Sequence, residues 1–252
     1  MGLIKTPAQI ELMRASGRLC ALAMQAMQAA IVPGVTTATL DAIAREVIAK
    51  GGGTPCFLGY NGYPAAICAS ANQVVVHGIP NHQPLLQGDI LSIDVGVSLD
   101  GWLSDMARTY PVGTASAEAM ALIAITQQCF EAGMRQAIPG RRIGDISAAV
   151  QRVAEGAGYG VVRALTGHGI GQAMHEEPSV PNYGTPGRGL LLREGMTIAI
   201  EPMITQGDWR VNTRADGWTV VTADGKWSSH HENTVLVTAQ GPEILTPMAG
   251  AT

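Results

Sequence analysis

Charge is scarce in this chain. Asp, Glu, Lys and Arg make up only 14% of its 252 residues, and the formal net charge is −4 at pH 7. Lys and Arg do not cluster; the pair Arg141-Arg142 follows Pro139-Gly140 and reads as a solvated turn. That excludes the electrostatic footprint of a nucleic-acid partner. Cysteine is sparse too. Cys20, Cys56, Cys68 and Cys129 form no CxxC pair and no zinc-finger spacing, which favours free thiols in a reducing compartment over disulfides. Long apolar runs are missing, each being short or broken by Gly or Pro. Neither a membrane span nor a signal peptide is therefore expected, and the chain reads as cytoplasmic. Gly2 with Thr6 fits a myristoylation acceptor, but an acyl anchor needs a second membrane signal, which is absent. Phosphate-loop spacing is also lacking at Gly51-Gly52-Gly53 and around Gly167–Gly171.

What is present is a 46% hydrophobic composition, enough for a sizeable core. Thr6-Pro7 reads as a cap and first turn, and apolar spacing predicts a helix to Ile31, stopped by Pro33-Gly34. A second helix is predicted over Thr39–Ala49, with further helices over Ala117–Ala137 and Gly144–Gly156. Strands are expected in Ala65–Val76, Ile90–Tyr110, Gly160–Arg163, Thr197–Glu201, Trp218–Thr222 and Glu232–Thr238. This order repeats. The segment beginning PGVTTATLDAIAREV at Pro33 matches PGRRIGDISAAVQRV at Pro139, and GDILSID matches GMTIAIE, ending on Asp94 and Glu201. Either short amphipathic segments match by chance, or two halves (about 1–112 and 113–252) form a pseudo-twofold α/β domain, an antiparallel sheet with flanking helices, each half supplying an acid-bearing strand. No linker divides them, so a single domain over 1–252 is expected.

Acids inside apolar strands need explanation, because a buried carboxylate must be paired or bound to a cation. Asp94, Asp105, His168, Glu201 and Glu232 are the candidates to hold two metal ions. In DILSIDVGV, Ser92, Asp94 and Gly96 share one face, and Asp100-Gly101 is a two-residue hairpin signal. Pairing across that turn sets Asp94 opposite Ala107 and Asp105 opposite Gly96, so both acids point to one face. Thr197, Ala199 and Glu201 share a face, as do Glu232, Thr234 and Leu236. His168 lies among Gly167, Gly169 and Gly171, which are expected to let backbone approach a ligand; taken singly, such a His is as often structural as functional. His82 is expected to be exposed, and His230 and His231 are not assigned. Carboxylates with one imidazole suit Mn(II), Fe(II) or Co(II), with Zn(II) the alternative.

Taken together, GYNGYPAAIC, VVHGIP, IDVG, SDMART, TGHGIGQAMHEEP, IEPM, DGWTV and HENT resemble the type I methionine aminopeptidases over nearly the whole chain. The resemblance implies the pita-bread fold in its short bacterial-type form and removal of the first methionine from peptides and nascent chains. It implies that Asp105 and Glu232 bridge two divalent ions, that Asp94 binds one, and that His168 and Glu201 bind the other. It further implies attack by a metal-bridging water, with Glu201 as proton shuttle, His175 stabilising the tetrahedral oxygen and His77 at the scissile nitrogen. Phe57, Tyr60, Tyr63, Cys68, Met174 and Trp218 match positions of the methionine pocket. A monomer working near the ribosome, with no nucleic-acid or membrane contact of its own, is the matching expectation. Departures are Phe57 for a common Cys, Met174 for Phe, Asn61 for His, and HHENT for an aromatic followed by EHT. Cleavage before proline and a non-catalytic binding role are the competing readings.

Overall fold

The structure is a computed structural model and describes residues 2–248. The Thr6 hydroxyl accepts from the Gln9 N–H, and the Gln9 side chain accepts from the Thr6 N–H, starting helix α1 (Pro7–Ala29). Helix α2 spans Thr37–Lys50 and starts two residues before its expected position. Thr36 is its cap, held in place by a bridge to Pro84. Helix α3 (Ala117–Met134) stops short of Ala137: the Gln136 and Ala137 N–H groups donate to the Gly133 and Met134 carbonyls, tightening the last residues into turns. Helix α4 covers Ile143–Gly156.

The first strands are β1 (Thr54–Pro55), β2 (Ile67–Ala71), β3 (Val74–Val76), β4 (Ile90–Leu99) and β5 (Trp102–Pro111). The second group opens with β6 (Gly160–Val161), β7 (Gly167–Gly169), β8 (Glu176–Val180), β9 (Thr197–Ile200) and β10 (Met203–Thr205). It closes with β11 (Val211–Thr213), β12 (Val220–Thr222), β13 (Ser228–His230), β14 (Glu232–Thr238) and β15 (Gly241–Ile244). Strand β12 begins two residues later than expected because the Trp218 and Thr219 N–H groups donate to Asp216, extending a turn.

The main sheet runs β1-β4-β5-β14-β9-β7-β8, with β2 beside β4 and β15 beside β14, all antiparallel. Two three-stranded sheets, β13-β10-β6 and β11-β12-β3, complete it. One face is apolar and helix-covered. Leu91, Ile93, Val95 and Val97 of β4 pack with Met24, Met27 and Leu40 of α1 and α2. Ile198 and Ile200 of β9 and Val235 of β14 pack with Phe130 and Ile146 of α3 and α4. Each such side chain, fully buried, contributes about 1.5–3 kcal/mol. The acids occupy the opposite face.

The repeat read in the sequence recurs in backbone geometry. Gly34 and Gly140 have φ of 94° and 89°, and Gly88 and Gly195 have 92° and 84°. Thr36 bridges Pro84 as Arg142 bridges Leu191. Helix α1 seats on the sheet at Gly17, where a Cβ would overlap the Leu245 carbonyl. Gly17→Ala should therefore cost about 1–3 kcal/mol, read as a lower urea midpoint at unchanged m-value. No described helix is long and apolar enough to cross a membrane.

Candidate metal centre

Asp94 and Asp105 enter from the β4–β5 hairpin. Asp100 and Gly101 have φ of 51° and 75°, the conformation a two-residue turn demands. The observed register sets Asp94 opposite Ala107 and Asp105 opposite Gly96, as alternation predicts. Glu232 opens β14 and also faces Ala107, which brings a third carboxylate alongside. Thr234 locks that seam: its hydroxyl accepts from the Asp105 N–H at 2.9 Å and donates to the Asp105 carbonyl at 3.0 Å. Glu201 stands one residue past β9, and its carbonyl accepts from Asn182 Nδ2 at 2.9 Å. His168 comes from β7. Its Nδ1 lies 2.9 Å from the Gly169 carbonyl, which can only accept, so Nδ1 carries the proton and Nε2 presents a lone pair.

These groups converge. His168 Nε2 is 3.6 Å from Glu201 Oε1 and 3.9 Å from Asp105 Oδ2. Two overlapping triads could each hold an ion, Asp105–His168–Glu232 and Asp94–His230–Glu232, with ligand atoms within 4.8 Å of one another. Asp94 Oδ1, Asp105 Oδ1, Glu232 Oε1 and His230 Nε2 are buried without a hydrogen-bond partner. Buried oxygens left unpaired in this number are what a divalent cation would satisfy. Burial pushes the Glu201 carboxyl up to about 8, and Asp94 up to about 6 with His230 opposing the shift. Burial first, and neighbouring carboxylates next, hold Asp105 and Glu232 well above the ordinary range. Burial drops His77, His168 and His230 to about 4, leaving neutral imidazoles, the form that binds metal.

The cluster floors a cavity of about 270 Å³. Phe57, Tyr60, Tyr63, Cys68 and Trp218 line it, together with His77 and His175. Met174 is not part of that lining; it is buried in a cluster with Trp102, against which Phe57 and Cys56 pack. Tyr60 Oη is 2.7 Å from His175 Nδ1. The rings of Tyr63 and Trp218 meet edge-on at 5.1 Å, and His77 lies edge-on to Trp218 at 6.3 Å. His77 is held at φ 59°, a left-handed conformation unusual for a non-glycine. Lys5 and Glu176 form an ion pair at 2.7 Å, and Glu176 also accepts from the Gln172 and Ala173 N–H groups, fixing the turn before His175.

Two readings change. The glycines around His168 serve strand packing rather than a ligand: a Cβ at Gly167 would strike the Ala199 carbonyl, and one at Gly169 the Glu177 carbonyl. His230, unassigned from sequence, is buried in the cluster, whereas His231 points away and stacks on Phe130 at 4.8 Å. The signal was parity: His230 stands two residues before Glu232, and His231 one. His82 is exposed, as expected.

The family model of metallopeptidase family M24 matches residues 11–239. The chain belongs to metallopeptidase family M24. Within the family it groups with the type I methionine aminopeptidases, and the observed fold is the expected pita-bread fold. It is 50% identical over 246 residues to a methionine aminopeptidase of Clostridium perfringens, covering 98% of this chain and 99% of that one. It is 49% identical over 247 residues to one from Clostridium acetobutylicum, with the same coverage. The crystal structure of methionine aminopeptidase from Rickettsia prowazekii superposes with a TM-score of 0.95 at 43% identity, covering 97% of this chain and 99% of that one. The M24 chain has its own support for Glu232. Asn233 Oδ1 accepts from Arg108 at 2.8 Å while Asn233 Nδ2 donates to Thr246 Oγ1 at 2.7 Å. Asn233 therefore ties β5 and the C-terminal segment to the strand that carries the shared carboxylate.

Proposed function

We propose that this metallopeptidase removes N-terminal methionine from peptides and nascent chains, as a cytoplasmic monomer working near the ribosome. The observation that carries the reading is the set of unpaired buried carboxylates flooring a small cavity walled by Phe57, Tyr63 and Trp218. Asp105 and Glu232 would be shared by two divalent ions, Asp94 would hold one, and His168 with Glu201 the other. Mn(II), Fe(II) or Co(II) suit this oxygen-rich donor set, with Zn(II) the alternative. When bound, such ions supply Lewis acidity for the first carbonyl and a water acidic enough to act near neutral pH.

The side chains have defined work beside them. Glu201, which lines the cavity beside His168, would carry a proton to the departing amine. With Tyr60 O–H as donor to His175 Nδ1, the His175 proton would sit on Nε2, the tautomer that can donate to a developing oxyanion. His77, at a left-handed φ of 59° and edge-on to Trp218 in the cavity wall, would contact the scissile nitrogen. Phe57, Tyr63, Cys68 and Trp218 form an aromatic and sulfur-bearing slot that suits a thioether.

The test compares Met-Ala-Ser with Ala-Pro-Ala before and after chelation and metal return. Metal-dependent release of methionine from the first peptide is expected. Preference for the second would point to cleavage before proline, and no turnover by metal-loaded protein would point to a binding role.

A further inference from the structure

We propose that His230 Nε2 is a direct metal ligand, giving the ion on the Asp94 side an imidazole of its own; the inference rests on the dinuclear reading above. Three observations carry it. His230 is 1% exposed, and its Nε2 has no hydrogen-bond partner, so a buried polar atom is left unsatisfied. The His230 ring belongs to one triad with Asp94 and Glu232. Its Nε2 stands 3.5 Å from Glu201 Oε2 and 3.9 Å from Glu232 Oε2. Those spacings are long for hydrogen bonds. The spacing to Glu232, the carboxylate in the same triad, is a little above the separation of ligands sharing one ion, about 3.0–3.4 Å when each is about 2.1 Å from it at tetrahedral or octahedral angles.

The ring is placed by the fold rather than by the acids. His230 pairs with Met203 across β10–β13, its N–H donates to Thr109 Oγ1 at 3.0 Å, and its carbonyl accepts from the same hydroxyl at 2.9 Å. Ser92 and Ser229 hydroxyls brace Thr109 at 2.8 and 3.0 Å. His231 turns the other way onto Phe130, so only one of the paired histidines is directed inward. The donor sets of the two triads then match: each has one aspartate and one imidazole, and both share Glu232. An added imidazole favours late first-row ions over Mn(II) more than an oxygen-only set does.

The first experiment uses unmutated protein crystals soaked in Zn(II) alone, with anomalous diffraction at the zinc edge. The expected result is an ion within about 2.0–2.1 Å of His230 Nε2. The second measures Zn(II) and Mn(II) binding by calorimetry to wild type and His230→Gln. The variant should lose more Zn(II) affinity on one of two sites than the roughly 10- to 100-fold an outer-shell change costs, with a smaller loss for Mn(II). The third reads nitrogen couplings of one bound equivalent of Mn(II) by pulsed EPR: a coupling should persist in His168→Ala and vanish when His230→Gln is added. Two bound ions with His230 Nε2 more than 3 Å from both would overturn the ligand assignment and leave the dinuclear reading standing. No ion bound at all would overturn both.

Discussion

Glu232→Ala is expected to lower methionine release by about three orders of magnitude or more and to abolish tight binding of both ions. Glu232 is the one side chain common to both triads, so its loss removes a ligand from each. Electrostatic stabilisation by a bound ion supplies several kcal/mol, and each 1.36 kcal/mol is tenfold in rate. The same substitution removes a buried carboxyl held well above its ordinary range, so the metal-free fold should be no less stable. Glu232→Gln, which preserves volume, should lose activity to a similar degree. Calorimetry with Mn(II) and initial rates on Met-Ala-Ser provide the readouts. Retention of activity within tenfold of wild type would show that the two sites do not share this group.

The metal-free protein should become less stable as pH rises from about 6.5 to 8, and divalent metal should reverse the loss. The sign follows from the folded-state shifts. Burial holds Glu201 up to about 8, and Asp105 and Glu232 well above their ordinary range. In the unfolded chain these carboxyls ionise near pH 4. Stability from the protonated, folded groups is full below that pH and is lost as pH climbs through the folded values. The buried histidines act oppositely. His77, His168 and His230 sit at about 4, so the stability they contribute is present above about 6.5 and is lost as pH falls. Above about 6.5 the histidine contribution is flat and the carboxylates dominate. A divalent ion binds the ionised carboxylates, so its stabilisation should grow over the same interval. Thermal melts of chelated and metal-loaded protein at pH 6.5, 7.25 and 8 read this directly. A chelated protein whose melting temperature rises steadily to pH 8 would contradict it.

Much of the centre was legible because strands obey a period of two. The Asp100-Gly101 turn fixes hairpin register, and register alone puts Asp94 and Asp105 on one face. The alternation of TIAIE and ENTVL likewise places Glu201 and Glu232 away from the helices. Paired Pro-Gly segments announced the repeat because each needs a left-handed glycine before a helix. What stayed hidden depended on partners distant in sequence. Thr36, Thr37 and Thr39 all offer hydroxyls, and which of them caps α2 is fixed by the long-range Thr36–Pro84 bridge, which sets Thr36 as the cap. The glycines around His168 were misread because their crowding comes from carbonyls on β9 and around β8. His230 was separable from His231 only by its parity with Glu232, and the break between β13 and β14 left that signal weak until His231 was seen stacked on Phe130. Met174 matches a pocket position by sequence, yet it is buried in the Trp102 cluster and is not among the residues lining the cavity.

The most direct test is anomalous diffraction from crystals of the unmutated protein equilibrated with Mn(II). Two peaks about 3.5–4 Å apart, flanked by Asp94, Asp105, His168, Glu201 and Glu232, are the expected result. A single peak outside that ring of side chains, or none at saturating manganese, would contradict it.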